Sequence, residues 1–367
     1  MAPWTKYVSA QRAMEPHNYL DPDVFELEKR FVLGRSWQYA CHSSELEKPG
    51  DYVAFEIAGE PLFLVHGQDG EVRTFYNVCM HRGHELVEGT GTKRQIVCPY
   101  HAWSYQLDGQ LRQAPHAEGR PGFDAGEICL TEVRTENFAG FIFVNLDECA
   151  DPMDDLYPGV REALVEFLPS IERMQPIERR VFVAESNWKV AVENYNECYH
   201  CKNAHPSFSK GVVLPDSYNI KPQGYCLHHQ ADSSPTQYYD IDLDASPHAA
   251  EYSSFYLWPL FAFQVYPGPV LNTFCWRPEA VDRTLFYRDW FSLDGDGSQV
   301  VHDVAEEDAN TTVAEDLKLV RSVQRGMGSR GYRPGPLILD EHMGVNSEHT
   351  VAAIKAWYEE AMDPEEG

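Results

Sequence analysis

The stretch Cys79-Met80-His81-Arg82-Gly83-His84 is followed by Val97-Cys98-Pro99-Tyr100-His101-Ala102-Trp103-Ser104-Tyr105, so a Cys-x-His and a Cys-x-x-His pair stand with sixteen residues between them. Two thiolates and two imidazoles can hold zinc or a [2Fe–2S] cluster. Zinc fingers group cysteine with cysteine and histidine with histidine on a ββα unit. Here each loop offers one of each, which suits a cluster with one iron held by two cysteines and the other by two histidines. Neutral imidazoles in place of two thiolates remove negative charge and raise the potential to roughly −150 to +300 mV. Such a centre accepts an electron from a ferredoxin-type donor and passes it on.

The flanking sequence reads as strands: residues 51–59, 61–67, 72–78, 94–109 and 138–146 are short, β-branched or aromatic, and broken by turn residues. Gly70 and Gly109 close Asp-Gly turns, where the backbone needs a positive φ. These signals predict a small antiparallel β domain. Past the acidic stretch around 147–155 the pattern becomes mixed. Helical spacing marks 160–171, 187–200, 314–327 and 347–362, the last with Ser347 as expected N-cap, and strands run from Phe255 and from Thr284. The second domain is therefore expected to be α+β, with helices against an antiparallel sheet. An N-terminal segment with a helical 22–32 is expected to pack on it.

The chain has 367 residues, 43% of them hydrophobic, enough for a sizeable core in two domains. No run of eighteen apolar residues occurs and the N-terminus lacks a basic-then-apolar leader pattern, so a cytoplasmic protein without a membrane span is expected. A net charge of −27 repels phosphate backbones and anionic lipid, which argues against nucleic acid as a partner. Nine cysteines scattered through a large chain are not a secreted disulfide framework.

A second constellation lies in Asn187–Phe208, where Glu193, Glu197, His200 and His205 fall within thirteen positions. On an ideal helix Glu197 and His200 share a face, whereas His205 points about 140° away from His200. For both histidines to hold one metal, the helix must end or bulge between them, and Pro206 is consistent with an ending. Two histidines with one carboxylate and open positions suit Fe(II) and O₂. The acid need not be local: Glu193, Glu197, Glu315 and Asp316 are all candidates, with Glu193 and Glu315 expected to be solvated or capping. Cys198-x-x-Cys201 imitates a redox motif, though Cys201 is expected to pack as a thiol. No GxGxxG opens a helix, so reduced nicotinamide is expected to act only through a separate reductase.

The paired Cys/His loops together with Glu-x-x-His-x-x-x-x-His-Pro resemble the Rieske non-haem iron oxygenases, along nearly the whole chain. That resemblance implies Cys79 and Cys98 on one iron of a [2Fe–2S] cluster, His81 and His101 on the other, and His200, His205 and Asp316 on a mononuclear iron. Trp103 resembles the aromatic that shields the cluster, and His84 matches no ligand. Glu197 resembles the acid that bridges the iron site to His101 of a neighbouring subunit, which implies a homotrimer. The implied domains are an N-terminal segment 1–34, a Rieske domain 35–150 and a catalytic domain 151–367. Glu197 stands where most of the family has aspartate. With the late segment Ala314–Arg333 it leans the resemblance toward members that hydroxylate and cleave or demethylate quaternary ammonium compounds of the carnitine and betaine type. A trimethylammonium head has no hydrogen-bond donor, so its receptor is an aromatic cage. Phe261 and Phe263, on one face of an expected strand 255–268, are candidates for it. The alternative reading is a ring-hydroxylating dioxygenase of aromatic acids.

Overall fold

The computed structural model describes residues 12–117, 119–240, 244, 246–268, 270–293, 299–339 and 344–363. The start of the N-terminal segment lies outside these residues. The chain divides into two compact units, one formed by Leu33–Met153 and the other by the segments before and after it.

In the first unit a seven-stranded antiparallel sheet runs in the order Gln38–His42, Phe141–Asn145, Glu132–Phe138, Val72–Tyr76, Glu60–His66, Asp51–Ile57 and Thr90–Thr92. A three-stranded sheet of Ile96–Val97, Ser104–Tyr105 and Leu111–Gln113 accompanies it. Strand alternation gives the large sheet a core on each face. Leu62 and Leu64 pack with Cys41, Val53 and Val144, while Phe63 and Val65 pack with Phe75, Ile96, Tyr105 and both Cys79 and Cys98. The two cysteines are thus rooted in the core. Gly109 holds φ +86°, and a Cβ there would meet the Phe75 ring at 2.6 Å, so the turn needs glycine for shape and for space.

The second unit has a seven-stranded antiparallel sheet in the order Gln175–Ala184, Arg283–Ser292, Val270–Ala280, Phe261–Tyr266, Glu251–Leu257, Cys226–Asp232 and Asn219–Gln223. The expected strand 255–268 is in fact two, separated by the turn at Trp258-Pro259-Leu260. Helices Trp188–Asn196, Ala314–Met327 and His349–Ala361 belong to this unit. The last begins at Glu348 without a side-chain cap, so Ser347 is not the N-cap. Asp21 caps helix Pro22–Phe31, accepting from the Asp23 amide at 2.9 Å. That helix is tied in by Glu28, fully buried, which accepts from Trp188 at 2.7 Å and Tyr358 at 2.8 Å and pairs with buried Lys189. No described helix is long and apolar enough to cross a membrane.

Candidate active site

Helix Trp188–Asn196 is started by Asn187, whose side chain accepts from the Lys189 amide at 3.0 Å. It stops at Asn196, and Glu197 is extended at φ −116°, ψ 146°. Glu197 and His200 therefore share no helical face, as an ideal helix would have had it. Their contact is made by a loop: Glu197 Oε2 accepts from the Tyr199 amide at 2.6 Å, and Oε1 binds His200 Nδ1. A single turn, Cys201–Ala204, then delivers His205, and Pro206 opens the next helix, Pro206–Gly211. The break lets both rings converge, with their Nε2 atoms 3.0 Å apart. Cys201, expected to pack as a thiol, is instead joined to Cys198 by a disulfide across this loop.

Asp316 comes from the first turn of Ala314–Met327, directly after the π-helical turn Ala309–Val313. Such turns interrupt helices most often at functional sites. Asp316 Oδ1 is buried without a hydrogen bond of good geometry and faces His205 Nε2 at 3.0 Å and His200 Nε2 at 3.5 Å. One donor atom from each of the three residues lies within 4.8 Å of the others. Two imidazole nitrogens and one carboxylate, with room for further ligands, fit Fe(II). Burial opposes the imidazolium of His200, but Asp316 and Glu197 outweigh it and raise its pKa to about 10. The Asp316 carboxyl is raised by burial and lowered more by the two imidazoles, so its net pKa falls.

Of the four candidate acids, Asp316 alone faces both Nε2 atoms. Glu315, expected to be solvated or capping, instead holds His205 Nδ1 at 2.9 Å, as Glu197 holds His200. Carboxylates on the back nitrogens fix the tautomer and aim Nε2 at the metal. Its position next to Asp316 was the available signal, since neighbours on one helical turn reach different sides of the same group. Glu315→Gln is expected to weaken iron binding about 10–100-fold, measured by chelator competition, with the cluster unchanged.

Glu193 faces away from the metal donors, and the Tyr19 hydroxyl donates to its oxygens at 2.7 and 3.0 Å. Burial raises its pKa to about 7, partly opposed by Tyr19 and Lys189. Because the folded value exceeds the unfolded one, stability falls as pH rises from about 4.5 through 7 and stays reduced above that, on the order of 3 kcal/mol. Glu193→Gln is thus expected to raise Tm at pH 8 and to change it little at pH 5, measured by thermal melts at both pH values.

The Cys79 and Cys98 loops are built alike. In one, the Cys79 amide bonds His84 O at 2.8 Å and Gly83 N returns to Cys79 O at 2.9 Å; in the other, the Cys98 amide bonds Trp103 O at 2.8 Å and Ala102 N returns to Cys98 O at 3.1 Å. Gly83 and Ala102 take the positive φ at matching points. The two cysteines are buried free thiols, while the His81 and His101 rings lie outside with centroids 4.7 Å apart. Burial raises the Cys98 thiol pKa, and Cys79 beside it adds to the effect. Two adjacent buried sulfurs and two exposed imidazoles on the same loops fit a two-iron cluster. Tyr105 OH lies 3.3 Å from Cys79 Sγ and accepts from the Met80 amide at 3.1 Å, so it is placed to donate to a cysteine sulfur. Sequence reasoning did not single it out. Trp103 stacks on His81 with centroids 4.7 Å apart, and His84 instead bonds the Glu85 carbonyl.

The metal donors open into a cavity of roughly 500 Å³ of atom-free space, part of it open to solvent. Tyr195, Phe208, Tyr218, Tyr252, Tyr266 and Phe274 line it. Phe261 and Phe263 do not, which corrects the expected cage. Alternation puts Gln264 and Tyr266 of that strand on the cavity face, while Phe261 and Phe263 pair in register with Cys275 and Thr273 on the other. The right strand was chosen with the wrong parity.

Residues 36–131 match the Rieske [2Fe-2S] domain family and residues 171–364 match the ring hydroxylating alpha subunit catalytic domain family. The carnitine monooxygenase oxygenase subunit of Acinetobacter baumannii is 38% identical over 91% of this chain and 90% of its own length. The glycine betaine monooxygenase oxygenase subunit of Pseudomonas aeruginosa is 26% identical over 94% and 87%. A solved quaternary ammonium Rieske monooxygenase in complex with L-carnitine superposes with a TM-score of 0.85 at 34% identity, covering 96% of each chain. With both domain families matched and this identity over most of its length, the chain belongs to the Rieske ring-hydroxylating oxygenases as an alpha, oxygenase-bearing subunit.

Proposed function

We propose that this chain is the oxygenase subunit of a quaternary ammonium monooxygenase, acting on a trimethylammonium compound of the carnitine or betaine type. The observation that carries the reading is the cavity beside His200, His205 and Asp316, walled by four tyrosines and two phenylalanines. Ring faces attract a cation that has no hydrogen to donate. The relatives named for carnitine and glycine betaine support the same class.

In this reading Cys79, Cys98, His81 and His101 hold the cluster, and His200, His205 and Asp316 hold the iron. When bound, the two centres supply electron transfer and O₂ activation, with electrons from a separate reductase that alone binds NAD(P)H. Glu197 and Glu315 keep the imidazoles aimed, and the aromatic wall holds the carbon next to nitrogen close to the metal. Glu197 also serves as the hydrogen-bond link to His101 of a neighbouring copy, which makes a homotrimer the working assembly, in the cytoplasm with its reductase. Inserting one oxygen atom into a C–H beside the nitrogen consumes O₂, two electrons and two protons and releases water. The hydroxylated carbon then expels the amine and becomes an aldehyde.

The test is a panel of carnitine, γ-butyrobetaine, glycine betaine, choline and proline betaine, with benzoate and phthalate, supplied with reductase and O₂ and read by mass spectrometry. An aldehyde and a smaller amine from one of the ammonium compounds is the expected result. A cis-diol or phenol, with the ammonium compounds untouched, would establish the aromatic-acid dioxygenase instead.

A further inference from the structure

Asp316 borders a second cavity, whose walls differ in chemistry from those of the aromatic one. It holds roughly 350 Å³ of atom-free space, part of it open to solvent. Two helices and the catalytic sheet enclose it. Val313, Asp316, Leu317 and Val320 come from the start of helix Ala314–Met327 and the turn before it, and Ala191, Asn194 and Tyr195 come from helix Trp188–Asn196. Both sets recur at the spacing of one helical face, so the cavity follows a stripe of each helix. At 1.5 Å of rise per residue, Asp316 and Val320 stand about 6 Å apart along the axis.

The polar groups of this cavity are gathered where it meets the first. Asn194, Tyr195 and Asp316 line both cavities. Asn194 Nδ2 comes to 3.4 Å from His200 Nε2, so this end reaches the metal donors. The Tyr195 hydroxyl is engaged with Ser254 Oγ at 2.6 Å. Ala184, Ala191, Trp276, Phe286, Leu317 and Val320 line the second cavity without lining the first, and all are aliphatic or aromatic. Such walls select their occupant. An ordered water needs about two to four polar partners, which they do not supply. A charged ammonium compound would lose its hydration there without compensation. The other reactant, O₂, is small, uncharged and a poor hydrogen-bond acceptor, and it partitions into apolar space. It also needs its own way in, because a bound substrate fills the aromatic cavity.

We infer that the second cavity is a dioxygen port: O₂ collects between the two helices and reaches the iron site past Asp316 and Asn194 while substrate occupies the aromatic cavity. Alanine at positions 184 and 191 leaves the room that a gas molecule needs. The inference rests on the assignment of the iron site and not on the choice of substrate.

The test has two readouts on the holoenzyme. Dry apolar cavities take up xenon, so crystals held under xenon are expected to show the atom between Ala191, Leu317 and Val320. Ala191→Leu fills that space. It is expected to lose the xenon and to lower kcat/KM for O₂ about tenfold, with kcat/KM for the organic substrate at saturating O₂ unchanged. Val320→Met, whose flexible side chain fills gaps, is expected to lower kcat/KM for O₂ roughly threefold, and it decides the matter if Ala191→Leu is insoluble. No xenon in wild type overturns the inference. So does a variant that excludes xenon yet keeps the wild-type kcat/KM for O₂, or one that loses as much toward the organic substrate as toward O₂. Both readouts are taken with whichever compound of the panel the enzyme accepts, so failure of the ammonium reading leaves this test standing.

Discussion

Asp316→Ala is expected to abolish turnover, by about a thousandfold or more, with mononuclear iron lost and the visible spectrum of the cluster intact. Asp316 is the one carboxylate whose oxygen faces both Nε2 atoms, at 3.0 and 3.5 Å. Without it, two neutral nitrogens remain, too weak a set to retain Fe(II) against buffer and chelator. The fold is expected to survive, because the side chain makes no hydrogen bond of good geometry through Oδ1 and its removal frees the site of a buried charge. Iron content and cluster absorbance, measured on the same sample with kcat, check this. Iron retained at wild-type level would move the third ligand elsewhere, and Glu315 would be the first alternative.

The second large effect is expected at Cys98. Cys98→Ser removes a buried sulfur from the core that also holds Phe63, Phe75 and Tyr105. Serine has too high a pKa to act as an anionic ligand in place of a thiolate, so the cluster is expected to be lost and reductase-driven turnover to fall to background. Iron at His200, His205 and Asp316 is expected to stay, since those ligands lie in the other compact unit. Metal and acid-labile sulfide analysis on the purified variant gives the answer. Loss of both metals would show that the two units do not load independently.

Much of this was legible in the residues, and the misses have particular causes. The paired Cys/His loops specify a cluster because their spacing and their turn residues agree, and Gly83 takes the positive φ that such a loop needs. Helical geometry requires an end or a bulge between His200 and His205 if both hold one metal; the structure instead ends the helix earlier, at Asn196, and carries the two histidines at either end of the single turn Cys201–Ala204. Glu315 was misread because adjacency to a ligand is a local clue, whereas its partner His205 is 110 positions away. Phe261 and Phe263 were misplaced because a strand pattern rich in aromatics on both faces carries no parity signal: Phe261–Tyr266 is buried along its whole length. The turn at Trp258-Pro259 set the register, and register lies in the fold.

The most direct test of the account is a single turnover. The protein is reduced chemically, freed of reductant, and mixed with O₂ and carnitine, while the EPR signal of the reduced cluster and the released trimethylamine are followed together. The account predicts that the cluster oxidises in step with amine release, approaching one product per iron site, and that no amine appears when Asp316 is replaced by alanine. Cluster oxidation without any amine, from carnitine or from the other trimethylammonium carboxylates, would contradict it.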